Sequence, residues 1–311
     1  MSTACAPGKI ILLGEHAVVY GRPALAVPVR QVRACATVEP AAEGPSGGIE
    51  LVAPELGLDA WLHDLPRDHP LVSICRATLA EIGVATFPPI RLTIASSIPV
   101  ASGLGSSAAV SVATARALGE HFDRALSIQK VSDLAFDIER IHHGTPSGID
   151  NTVVAFDRAV FFHRGESPQT LSVGGRFSFL IGDTGVAAPT AEAVAHVRER
   201  WTANRIALEA VFDQIASLVL DGREALEKGL PERLGGDLRR NHQLLQGLGV
   251  SSAELDGLVR AADGAGALGA KMSGGGMGGN MIALVTADRR EAVADALRRA
   301  GAGVLQTEVA P

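Results

Sequence analysis

The chain has 311 residues, 47% of them hydrophobic and 20% charged, enough to bury one large core or two modest ones, and its length favours two domains. A formal net charge of −6 argues against nucleic acid or an anionic membrane surface as the main partner, since both are met with an excess of positive charge. Nowhere do about 20 apolar residues run unbroken, and Met1 to Ala6 carry no basic stretch followed by an apolar core, so no membrane span and no secretory signal are expected. Cys5, Cys35 and Cys75 are odd in number and widely spaced, unlike a zinc site or a redox dithiol, which points to a reducing, cytoplasmic setting. The arginines at 198–205 and 289–299 are accompanied by acids and read as solvated helix faces.

In chain order, apolar runs at Lys9–Leu13, Ala24–Val29, Val32–Val38 and Ile90–Ile94 predict strands, separated by turn-rich stretches such as Pro40 to Gly48. Helices are predicted at Leu71–Ile82, Ser106–His121 and Ile128–His142. In the last of these, Val131, Leu134, Ala135, Ile138 and Ile141 recur at spacings of three and four and form one buried stripe. Thr152–Phe156, Ala159–His163 and Phe177–Ile181 read as strands, with Gly174-Gly175 as the candidate boundary between domains 1–174 and 175–311. Helices near Ala191–Leu220, Glu232–Gly247 and Ala253–Asp263 follow. Then come a strand, a glycine loop, a strand, a helix at Arg290–Ala300 and a final strand at Gly303–Val309. Strands interleaved with helices in this way predict an α+β sandwich in each half.

Three segments carry chemistry. Residues 99–110, Pro-Val-Ala-Ser-Gly-Leu-Gly-Ser-Ser-Ala-Ala-Val, run a glycine and serine turn into an alanine-rich helix. Gly103 and Gly105 let the backbone approach an anion closely, and the first N–H groups of the helix have no internal partner, so they can face phosphate oxygens. The same residues would serve an ordinary glycine turn capped by serine, so the reading depends on the other two segments. One is Ala6 to Gly21, an apolar strand with Lys9 near one end and Gly14-Glu15-His16 at the other. The other is Lys271 to Asn280, where five glycines fall within six residues, a density kept only where positive φ or very close approach is required.

In this order the three segments resemble the motifs of the GHMP kinases, over nearly the whole chain. Gly14-Glu15-His16-Ala17-Val18-Val19-Tyr20-Gly21 and His143-Gly144-Thr145-Pro146-Ser147-Gly148-Ile149-Asp150-Asn151 are similar to the mevalonate kinase family within that group. The resemblance implies a two-domain α+β fold, an N-terminal α/β domain and a C-terminal α+β domain with the active site in the cleft between them. It also implies ATP and Mg²⁺ as cofactors and phosphorylation of the 5-hydroxyl of mevalonate as the reaction. Pro99, Val100, Ala101, Ser102, Gly103, Leu104, Gly105, Ser106, Ser107 and Ala108, together with Gly274, Gly275 and Gly276, would bind ATP. Asp150 would be the general base or orient the substrate hydroxyl, with Lys9 close to it as the second catalytic residue. Ser107 and Glu139 would hold Mg²⁺, a hard cation that takes oxygen ligands. Glu15, His16 and Thr190 would face the substrate.

Read from the residues alone, Lys9 could be a surface lysine at a strand end, Glu139 a surface acid paired with Arg140 or His143, and His16 a satisfied core histidine. The third motif departs from Gly-Ala-Gly: here it is Ser273-Gly274-Gly275-Gly276-Met277, a methionine within the loop. A kinase or decarboxylase of the same group acting on phosphomevalonate or another small alcohol is the nearer alternative, and a non-catalytic nucleotide or metabolite sensor the more distant. No nucleic acid or membrane partner is expected, and a homodimer is left open.

Overall fold

A computed structural model describes residues 1–41, 48–99, 102–143 and 146–311. Val100, Ala101, Gly144 and Thr145, which the motif reading uses, lie outside them. The chain divides into two compact units. The first comprises Met1–Gly8, Val32–Val100 and Gly105–Asp157, and the second Lys9–Gln31, Ala101–Leu104 and Arg158–Pro311. Two long strands, β1 (Ser2–Leu13) and β2 (Ala24–Pro40), pass from one unit into the other. The two runs predicted at 24–29 and 32–38 are therefore one strand, because Arg30 and Gln31 interrupt the apolar run and not the backbone.

In the first unit β3 (Ile49–Ala53), β4 (Leu58–Trp61) and β5 (Ile90–Ser96) join β2 in the order β4-β3-β5-β2. β3 is parallel to β5 and the other pairs are antiparallel. Ile90, Leu92 and Ile94 on β5 are buried while their neighbours are not, the period of two expected of a sheet with one covered face. Helices α1 (Pro70–Glu81), α2 (Ser106–His121), α3 (Ile128–His143) and α4 (Ile149–Phe156) pack on one another. The α3 stripe is buried from Val131 to Ile138, but Ile141 is 59% exposed: the apolar period continues past the point where neighbouring elements cover it. Residues 152–156, predicted as a strand, form α4. The run Thr-Val-Val is β-prone, yet the helix starts at Gly148, whose φ of 93° turns the chain, and Asn151 ties it to α3 through Ser132.

The cysteines also differ from expectation. Cys5 on β1 and Cys35 on β2 form a disulfide, with Cα atoms 4.1 Å apart, because adjacent strands bring together residues separated by 30 positions. Cys75 is a buried free thiol whose burial pushes its pKa up to about 12.

The second unit holds the short strands β6 (Val160–Phe162) and β7 (Gln169–Thr170) and an antiparallel sheet ordered β11-β8-β10-β9. Its strands are β8 (Phe177–Asp183), β9 (Gly269–Ser273), β10 (Asn280–Val285) and β11 (Gly303–Val309). Around it lie α5 (Thr190–Ala203), α6 (Arg205–Lys228), α7 (Pro231–Gly247), α8 (Ala253–Gly264) and α9 (Arg290–Arg299). The single helix predicted at 191–220 is thus two. Asn204 leaves the helical conformation, and its side chain accepts a hydrogen bond from the Ala207 N–H to cap α6. Gly174 and Gly175 pack against the end of α6, at Glu227 and Gly229. Leu180, Phe212, Leu245, Leu255, Met272 and Met281 belong to one apolar core. Among the described residues no helix is long and apolar enough to cross a membrane.

Helix α7 meets β9 backbone to backbone: a Cβ added to Gly269 would lie 1.9 Å from the Gly235 carbonyl oxygen, whereas one added to Gly236 meets nothing within 4 Å. Gly269→Ala is expected to lower the melting temperature by about 5–10 °C through overpacking, and Gly236→Ala, inside the same helix, to leave it unchanged or raise it slightly. Thermal unfolding of the two variants beside the parent checks this, and equal melting temperatures would rule the close approach out.

Candidate active site

In the first unit, α2 begins at Gly105, which takes φ 77°, and its first turn carries neither an acidic residue nor a side-chain cap. The N–H groups of Ser106, Ser107 and Ala108 thus open a helix whose dipole favours an anion. Ser107 stands in that first turn, and α2 packs against both α3 and α4. On α3, Glu139 is 9% exposed. Its neighbour Arg140 meets Asp137 at 3.7 Å. Asp150 lies half-buried in the first turn of the helix α4 and not in a loop turn. Thr152 Oγ1 donates to the Gly148 carbonyl at 2.7 Å, and the Ile149 N–H donates to Ser147 Oγ, which fixes the start of that helix. Ser107 and Glu139 are oxygen donors on packed helices, a set suited to a hard cation that completes its shell with phosphate oxygens and water. Among the described residues no cluster of three or more His, Cys, Asp or Glu could hold a metal by itself.

The second unit brings together Lys9, Glu15, His16, residues 102–104, Thr190 and the third glycine segment. Lys9 lies inside β1, 3% exposed, so it is no surface lysine, and its N–H donates to the Leu104 carbonyl at 2.9 Å. Asn280 Nδ2 donates to the Ser102 carbonyl, which joins the residue 102–104 segment to the start of β10. Pro99 lies just ahead of that loop, in the first unit. The glycine loop links β9 to β10, and Gly274, Gly276, Gly278 and Gly279 all have positive φ. Gly275 is required for a different reason: a Cβ there would lie 2.8 Å from Thr190 Oγ1. Met277 takes φ 58° and is held by its N–H donating to the Val250 carbonyl at 2.8 Å, so the departure from the glycine pattern is absorbed by a left-handed methionine. Thr184 Oγ1 donates to the Gly279 carbonyl at 2.8 Å, which fastens the segment leading to Thr190 onto the loop.

His16 is buried, with Nε2 2.9 Å from the Gly275 carbonyl oxygen. Burial lowers its pKa from 6.5 to about 4, against the hydrogen bond to Gly275, which raises it; the nearby Lys271 lowers it further. Glu15 is turned inward: Lys271 Nζ donates to its Oε1, and Asn241 Nδ2 donates to its Oε2 at 3.0 Å. Lys271 and Asn241 escape a sequence reading that attends to the glycines, although a lysine inside an apolar strand is itself a signal. His242, beside Asn241, accepts a hydrogen bond at Nδ1 from the Met272 N–H, so α7 braces β9 just ahead of the loop.

The two halves of this arrangement are matched by two family descriptions. Residues 70–158 match the GHMP kinases N terminal domain and residues 223–303 the GHMP kinases C terminal. The chain belongs to the GHMP kinase family, with its two-domain mixed α+β fold. Mevalonate kinases are among its relatives over the full length. That of Pyrococcus abyssi is 35% identical, covering 98% of this chain and 95% of the relative, and that of Aeropyrum pernix is 35% identical over 90% and 87%. Among solved structures, mevalonate kinase of L. major in complex with R-mevalonate superposes with a TM-score of 0.85 at 27% identity, covering 100% of this chain and 96% of the other. Streptococcus pneumoniae phosphomevalonate kinase shares the fold at TM-score 0.83 and 20% identity, covering 99% and 100%.

A depressed histidine pKa makes the folded state bind fewer protons than the unfolded chain between the two values. Stability supplied by neutral His16 is therefore complete above pH 6.5 and is lost as pH falls toward about 4. Ring NMR is expected to show His16 neutral at pH 5.5, and His16→Gln to flatten the fall in stability over that window; a ring that titrates near 6.5 would contradict its burial.

Proposed function

We propose that the chain transfers the γ-phosphoryl group of ATP to the 5-hydroxyl of mevalonate, giving 5-phosphomevalonate and ADP. The observation that carries this reading is the meeting of two motif residues at one glycine: His16 bonds to the Gly275 carbonyl, and Thr190 occupies the space a Gly275 side chain would need. The full-length likeness to mevalonate kinases supports the same substrate. The hydroxyl oxygen attacks the γ-phosphorus, the bond to the bridging oxygen breaks, and the hydroxyl proton passes to Asp150 or is oriented by it. Lys9 supplies positive charge that favours the developing alkoxide. The amides at the start of α2 and those of the third glycine segment receive phosphate oxygens. Mg²⁺, held by Ser107 and Glu139, would neutralise charge on the phosphates. Mevalonate is met by His16 and Thr190, with Glu15 beside them. Use of ATP suits a cytoplasmic setting.

A phosphorylated alcohol would call for an additional cation by the substrate residues. Arg22, the first arginine after the Glu15-His16 motif, is committed elsewhere: its guanidinium meets Glu209 at 2.6 Å and Asp213 at 2.7 Å. A coupled ADP-release assay with Mg·ATP and mevalonate, 5-phosphomevalonate, galactose or homoserine should show turnover on mevalonate alone, with the product a 5-phosphate by phosphorus NMR. Asp150→Asn and Lys9→Met should each lower kcat by about 100-fold or more while nucleotide binding is retained, as for groups acting in the transition state. Near-parental turnover in either variant would remove that residue from the mechanism.

A further inference from the structure

His16 sits in a backbone conformation that needs an explanation. With φ 61° and ψ −49°, and with the Ala17 N–H donating to the Glu15 carbonyl at 2.7 Å, it is the central residue of a γ-turn of the rare, strained hand. A histidine held there is strained and persists only where the surroundings over-determine it. The side chain of Glu15, the first residue of that turn, is over-determined in this way. Both of its carboxylate oxygens are taken, one by Lys271 and one by Asn241, and all three side chains are essentially without solvent access. Lys271 is on β9, ahead of the glycine loop, and Asn241 is on α7. The far side of the turn is held by the His16 ring on Gly275.

We propose that Lys271 and Asn241 are positioning residues that act through Glu15. They clamp the strained turn that aims the His16 ring at Gly275 and Thr190, so Glu15 serves as the anchor of the turn and not as a group on the substrate. An ion pair is suited to this task because neither charge can leave its partner once water is excluded: any displacement of Glu15 strands an ammonium in the interior. This inference rests on the proposed mevalonate site for its kinetic consequence and on the fold alone for its conformational one.

The test uses Lys271→Met combined with Glu15→Gln, which removes both charges together and leaves no uncompensated ion. The double variant should melt within a few degrees of the parent, while Lys271→Met alone should melt well below it. The KM for mevalonate should rise at least 10-fold in the double variant with the KM for ATP within about twofold, a split that a loss of general stability would not produce. Amide exchange over residues 15–20 should speed up at least 10-fold while exchange in α9 stays parental. A folded double variant with parental KM for mevalonate, or with parental exchange at residues 15–20, would overturn the proposal. Should the double variant not fold, Asn241→Leu, which keeps the ion pair and frees Oε2, should raise the KM for mevalonate about threefold and speed the same amides; parental values would overturn it equally. A parent without turnover on mevalonate would refute the functional reading, and the exchange measurement would then decide the clamp by itself.

Discussion

A lysine ammonium without access to water must be met by an anion, and in the second unit this requirement joins elements far apart in the chain. Lys271 on β9 is met by Glu15 in the turn that follows β1, and Glu15 in turn holds Asn241 on α7. Burial lowers the Lys271 pKa, and the Glu15 charge opposes that effect. Removing either partner would strand the other at a cost of several kcal/mol, whereas the pair adds little stability over well-packed apolar residues of the same size. Its value is therefore directional. It selects one register for three elements, and the backbone around His16 follows from it.

Close approach of backbones is the second constraint on the same region. Gly276 would place a Cβ 2.0 Å from the Val250 carbonyl oxygen, and Gly269 meets Gly235 with no side chain between them. A loop so depleted of Cβ atoms loses much conformational entropy on folding, and it stays ordered because its ends are tied. Asn280 reaches Ser102, Thr184 reaches the Gly279 carbonyl, and Ser273 Oγ donates to the Ile11 carbonyl at 2.9 Å. The loop is thereby mounted on a rigid frame, the preorganisation that a binding loop needs.

The first unit handles charge in another way. Its candidate groups stand at helix ends: Ser107 at the start of α2 and Asp150 at the start of α4, with Glu139 on the helix between them in sequence. Helix N-termini favour oxyanions without a full countercharge, because the dipole and the unpaired N–H groups supply partial positive charge. Asn151, the neighbour of Asp150, faces the opposite task. It is buried and donates to both the carbonyl and the hydroxyl of Ser132, fixing α4 against α3.

Much of this was legible in the sequence. Apolar spacing located α3 because its burial is one-sided as far as Ile138, the helix patterns at 71–82, 106–121, 232–247, 253–263 and 290–300 became α1, α2, α7, α8 and α9, and the glycine motifs located the loops because few other residues adopt those dihedrals. Where local preference and packing disagree, packing decided. Thr152 to Phe156 became helix against their β-propensity, the helix predicted at 191–220 broke at Asn204, and Cys5 met Cys35 because β1 lies beside β2. The sequence by itself determined the family, the place of the glycine segments and the candidate residues, since each depends on residue type and short spacing. Only the tertiary structure decided that Glu15 faces Lys271 and Asn241, that His16 occupies a strained turn against Gly275, and that Glu139 is buried. Those facts depend on contacts between residues up to 259 positions apart, which no local pattern encodes.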